Sequence, residues 1–197
     1  MLIISHRVNT IEQLKKTPKK YGVEIDIKAN GDKLVLTHEP HTIGDELKEF
    51  LEYYDHAFII LNIKETGIEQ EVMDLAKKHN ISDYFLLDVE YPFIFKSMNK
   101  LKLSKIAIRF SEYEPIEYVM THAGKIDWVW VDVFTKLPLD KEKYDIMKKA
   151  GFKLCLVSPE QLGRPEDIPK YIKYCKQEGI EFDAVMCEHD VIHFYDD

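Results

Sequence analysis

The strongest constraint on the fold is a regular alternation along the whole chain. Short apolar, β-branched runs at 2–6, 23–28, 58–64, 84–90, 105–110, 128–134, 153–158 and 183–188 read as strands. Amphipathic segments lie between several of them. Residues 46–54 gather Leu47, Phe50, Leu51 and Tyr54 on one helical face, and 68–79 gathers Ile68, Val72, Leu75 and Ala76. Segments 141–150 and 168–177 follow the same period. Gly124, Gly151 and Gly179 each stand where a helical stretch gives way to a strand, and Asp140 precedes one as an N-cap. Asn30-Gly31 reads as a hairpin turn that appends a short strand at 33–37.

Strand–helix alternation of this kind builds a parallel sheet. At 197 residues the expected architecture is a single domain spanning 1–197, a compact (β/α)8 TIM barrel with short loops. A doubly wound open sheet shares the period, but its strands are covered on both faces and read as apolar throughout. These strands are apolar on one side only. Val23, Ile25 and Ile27 alternate with Glu24 and Asp26, and Ile59, Leu61 and Ile63 alternate with Asn62 and Lys64. By the same rule Asp88 and Glu90, Arg109, Trp130 and Asp132, and Glu188 turn to the inner side near their strands' C-terminal ends. That is where a barrel carries its polar site. For any one of these charges, a strand-end surface residue or an interior ion pair is an equally good account, and an inward tryptophan usually fills space.

The formal charge of −8 argues against a nucleic-acid surface, which rests on Lys and Arg neutralising phosphates. No apolar run reaches the ~20 residues of a membrane span, and the first residues lack the pattern of a signal peptide. Three cysteines without CxxC spacing suggest reduced thiols, a cytoplasmic setting and no structural zinc. The sequence carries no oligomer signature.

Four short motifs follow in order. His6-Arg7 ends the first strand, Glu24-x-Asp26 lies on the second, His38-Glu39-Pro40 follows its extension, and Asn62-x-Lys64 lies on the third. This set resembles the glycerophosphodiester phosphodiesterase family, within the phosphoinositide-phospholipase-C-like barrels. The likeness is specific over the first third of the chain and topological beyond it. The chain departs from the family pattern at Asn62, where the family has Glu, and at Val8, where Gly is common.

The resemblance implies a metal-dependent phosphodiesterase acting on a small phosphodiester. His6 and His38 would be the acid and base, Arg7 and Lys64 the phosphate ligands, and Glu24, Asp26 and Asn62 the holders of Mg²⁺ or Ca²⁺. The residue types suit those roles. Paired carboxylates favour hard cations, which prefer oxygen, and imidazoles titrate near neutrality. Arg and Lys place positive charge on phosphate oxygens. A neutral amide at position 62 should weaken the cation's hold. Two alternatives keep the same site: a phosphate- or sugar-phosphate-binding barrel without turnover, and a lyase-like variant that releases a cyclic phosphate. The other histidines, His41, His56, His79, His122, His189 and His193, have no partner spacing and read as surface residues.

Overall fold

Chain order and spatial order coincide in the sheet. The computed structural model describes residues 1–40, 42 and 44–196. Its elements begin with β1 (Leu2–Ser5), α1 (Ile11–Lys16), β2 (Gly22–Asn30), β3 (Lys33–Leu36) and α2 (Leu47–Glu52). They continue with β4 (Ile59–Ile63), α3 (Glu69–Lys78), β5 (Tyr84–Leu87), α4 (Tyr91–Lys96), β6 (Ala107–Phe110) and α5 (Ile116–Met120). The last are β7 (Trp128–Val131), α6 (Lys141–Lys149), β8 (Lys153–Val157), α7 (Ile168–Glu178) and β9 (Ala184–Cys187). A 3-10 turn at His189–Phe194 follows β9. The strand order is β5-β4-β2-β1-β9-β8-β7-β6, with β3 paired to β2 alone. Apart from that hairpin and from β5 and β6, which end the row, each strand pairs with the next in sequence and β9 with β1, the order of a (β/α)8 barrel.

The chain divides into two compact units, Ile4–Phe95 and Met1–Ile3 with Lys96–Asp197. In the first, β2 pairs in parallel with β1 and β4, and β4 with β5. Val23, Ile25 and Ile27 are 0 % exposed. Leu47, Phe50 and Leu51 of α2 and Val72 and Ala76 of α3 are buried, as the helical period requires. The β2–β3 hairpin closes on the pair Asn30–Lys33, with Gly31 at φ 66°, a left-handed turn position. In the second unit β6, β7, β8 and β9 pair in parallel in that order. Asp140 caps α6 by accepting from the Lys143 N–H at 2.9 Å, and α7 stops at Gly179 with φ 61°.

The sequence period misses three helices, α1, α4 and α5. Each has five or six residues, fewer than two turns, so its period repeats at most once. One consequence corrects the reading of the histidines. His122, just past α5, is 0 % exposed, with its ring edge-on to Tyr118 at 4.8 Å. The His56 ring is also buried and lies 2.9 Å from the Thr17 carbonyl. His41 lies outside the described residues. No helix among the described residues is long and apolar enough to cross a membrane. The three cysteines are free and buried.

Candidate active site

Strand pairing assembles the site within the Ile4–Phe95 unit. Glu24 and Asp26 share one face of β2, and the β2–β4 register sets Asp26 directly beside Asn62. All three are buried, at 1 %, 1 % and 6 % exposed. The Asn62 amide nitrogen donates to Glu24 Oε1 at 2.8 Å and to Asp26 Oδ1 at 3.3 Å, joining the two carboxylates. Asn62 Oδ1, on the same amide, is buried with no hydrogen-bond partner.

The other carboxylate oxygens are taken by the segment after β1. Arg7 adopts φ 51°, a left-handed conformation uncommon outside glycine. The turn aims the Arg7 N–H at Glu24 Oε2, at 2.8 Å, and the Val8 N–H at the Glu24 carbonyl, also at 2.8 Å. Asn9 then clamps Asp26 twice. Its Nδ2 donates to Oδ2 at 2.9 Å, and its Oδ1 accepts from the Asp26 N–H at 2.8 Å. With β1 ended at Ser5, the Asn9 amide stands in for a ladder peptide. Sequence reasoning missed Asn9, because an asparagine in a turn carries no sign of a partner 17 residues away.

The histidines and cations connect to the same pair. His6 Nε2 lies 4.0 Å from Glu24 Oε2. The Arg7 guanidinium donates to His38 Nε2 at 2.8 Å, and His38 Nδ1 lies 3.4 Å from Glu39 Oε1. That arrangement leaves His38 Nε2 an acceptor and puts the ring proton on Nδ1. Lys64 Nζ donates to Asp88 Oδ2 at 2.8 Å and lies 3.5 Å from Asp26 Oδ1. Burial, and then the Asp26 charge beside it, push the Glu24 carboxyl up to about 7, against the opposing pull of Asn62, the Arg7 N–H and Lys64.

His6, Arg7, Glu24, Asp26, His38, Asn62, Lys64 and Asp88 thus form one connected network. Glu90 does not join it through its carboxylate. β5 ends at Leu87 and Asp88 turns left-handed at φ 56°, so strand alternation does not extend to Glu90, which is exposed. It borders a small cleft with Lys64, Glu69 and Asp88.

The remaining candidates belong to the second unit. Arg109 and Asp132 form an ion pair from the ends of β6 and β7. Trp130 is buried at 4 % exposure. Glu188, past the end of β9, is exposed and accepts from Gln161 at 3.2 Å.

A hard divalent cation fits the residues of the carboxylate pair. Glu24, Asp26 and Asn62 supply oxygen only, and the unpartnered Asn62 Oδ1 is an acceptor in need of a ligand. Among the described residues no three His, Cys, Asp or Glu side chains form a metal-holding group, so the third protein oxygen would be the amide's.

No protein-family model matches the chain, and no curated protein is similar to it in sequence. Solved structures are similar in fold. A glycerophosphoryl diester phosphodiesterase from Parabacteroides distasonis superposes with a TM-score of 0.62 at 14 % identity, over 94 % of this chain and 81 % of its own. A glycerophosphodiester phosphodiesterase from Agrobacterium tumefaciens gives 0.67 at 12 % identity, over 94 % of this chain and 96 % of its own. The fold of this chain is therefore that of these glycerophosphodiester phosphodiesterase barrels.

Proposed function

We propose that the chain is a phosphodiesterase that hydrolyses a small glycerophosphodiester-like substrate to an alcohol and a phosphomonoester. The observation that carries this reading is the single network joining two imidazoles, two buried carboxylates and two cationic side chains. Arg7 and Lys64 bind the phosphate oxygens, and their charge opposes what builds up there in the transition state. His6, beside Glu24, takes the proton from the attacking oxygen, and His38 gives one to the leaving alkoxide. As a general acid His38 must carry protons on both ring nitrogens, so substrate binding has to draw the Arg7 guanidinium from Nε2 onto the phosphate and free that nitrogen to take one up. Mg²⁺ or Ca²⁺ held by Glu24, Asp26 and Asn62 would polarise a phosphoryl oxygen.

The test is hydrolysis of bis(4-nitrophenyl) phosphate and a panel of glycerophosphodiesters. Turnover stimulated by Mg²⁺ or Ca²⁺ is expected, abolished in His6→Ala and strongly reduced in Glu24→Ala. Undiminished turnover in His6→Ala overturns the reading.

A second reading, phosphate binding without turnover, draws on Asn62 and on the protein donors already engaging all four carboxylate oxygens. It predicts calorimetric binding of a sugar phosphate that chelator leaves unchanged. Phosphorus NMR of the products separates hydrolysis from cyclic-phosphate release.

A further inference from the structure

We propose that the Asn62 amide is a placeholder for a divalent cation: its nitrogen joins Glu24 to Asp26 in the cation-free protein, and it turns over to offer Oδ1 when the cation enters. The inference rests on the proposed assignment of these three residues as cation ligands.

The four carboxylate oxygens fall into two classes. Glu24 Oε2 and Asp26 Oδ2 are held by the Arg7 N–H and by Asn9, donors that belong to the turn after β1. Glu24 Oε1 and Asp26 Oδ1 instead converge on one atom, Asn62 Nδ2, at 2.8 and 3.3 Å. Neighbouring oxygens around a six-coordinate cation of this class lie roughly 3 Å apart. The amide group therefore already stands at ligand spacing from both carboxylates, with the wrong atom facing them for a cation.

Amide oxygen and nitrogen are nearly equal in size, so half a turn about Cβ–Cγ exchanges them without disturbing the packing. Which way the group faces is then set by charge. With both carboxylates ionised and no cation, Oδ1 facing the pair would bring three lone-pair-bearing oxygens together in a buried site, and two charge-assisted hydrogen bonds would be lost. With a cation, the N–H groups would face positive charge and Oδ1 would be needed as a ligand. The present orientation leaves Oδ1 buried without a partner, the expected signature of a group serving two states with one side chain. Glutamate at this position could not do so, because it has no N–H to join the carboxylates when the cation is absent.

The test uses the full chain, ¹⁵N- and ¹³C-labelled and freed of metal by chelation, with the Asn62 side-chain NH₂ assigned through bonds to its Cβ. In the cation-free state these protons are expected downfield and protected from solvent exchange. Saturating MgCl₂ or CaCl₂ should shift both and reduce their protection about tenfold or more, as the hydrogen bonds to carboxylate are lost. Calorimetry should show Asn62→Leu losing the cation and Asn62→Asp binding it about tenfold more tightly, with a lower melting temperature in chelator. A bound cation with unmoved Asn62 resonances overturns the placeholder and leaves the cation assignment intact. No cation uptake by the wild-type protein overturns both. An amide that responds to cation in a protein that cleaves no diester supports the placeholder and refutes the proposed activity.

Discussion

Replacing Asn9 with alanine should destabilise the protein far more than its position in a turn suggests. The side chain makes two hydrogen bonds to Asp26, which is 1 % exposed: one to a carboxylate oxygen at 2.9 Å and one from the backbone N–H at 2.8 Å. Truncation leaves a buried N–H without an acceptor and removes one donor from a buried charge. Hydrogen bonds to charged groups contribute roughly 1.5–3 kcal/mol, and an unsatisfied buried group costs roughly 1–3 kcal/mol. Partial relaxation and entry of water bring the expected loss to about 3 kcal/mol, a fall of roughly 6–12 °C in Tm for a chain of this size. Asn9→Asp sharpens the test. It keeps an acceptor for the Asp26 N–H but turns a second carboxylate toward Oδ2, so at neutral pH it should be no better than alanine. Acid should restore it, as the new carboxyl takes up a proton and becomes a donor. Urea titrations of the three proteins at pH 5 and 8 measure both effects. A loss below about 0.5 kcal/mol for Asn9→Ala would refute the clamp.

Other outcomes follow from the same geometry. Glu24 ionises at about 7 in the folded protein against an ordinary 4.5, so the folded state holds the proton more tightly. In chelator, the contribution of this group to stability should therefore be fully present below pH 4.5 and be lost as pH rises through 7, by about 3 kcal/mol in all. Glu24→Gln should flatten that slope and be the more stable protein at pH 8; parallel pH–stability curves would contradict it. Gly22→Ala should cost about 1–3 kcal/mol by overpacking, since its Cβ would lie 3.0 Å from the Phe58 carbonyl oxygen and 3.1 Å from Ile4 Cγ1. Denaturant midpoints decide that. Lys64→Met removes the cation between Asp26 and Asp88 and should lower diester turnover about 100-fold in a kinetic assay.

The site was unevenly legible in the sequence. Glu24, Asp26 and Asn62 could be read because strand alternation is local and all three lie within β2 and β4, and Lys64 follows β4 directly. Asp88 and Glu90 are spaced like a strand pair. The backbone leaves strand geometry at Asp88, so one meets Lys64 and the other faces solvent. Asn9 and the left-handed Arg7 had no local signature at all.

From the sequence alone came the order of the strands, the faces of the longer helices and the hairpin at Gly31, because each depends on residues within a few positions of one another. Only the tertiary structure decided that Asp26 lies beside Asn62 and not beside Leu61 or Ile63. A one-residue slip in strand register would send every β4 side chain to the opposite face. It also decided which atom of the Asn62 amide meets the carboxylates, for the balance of charge in a buried site depends on groups 36 and 38 residues apart that local sequence does not bring together.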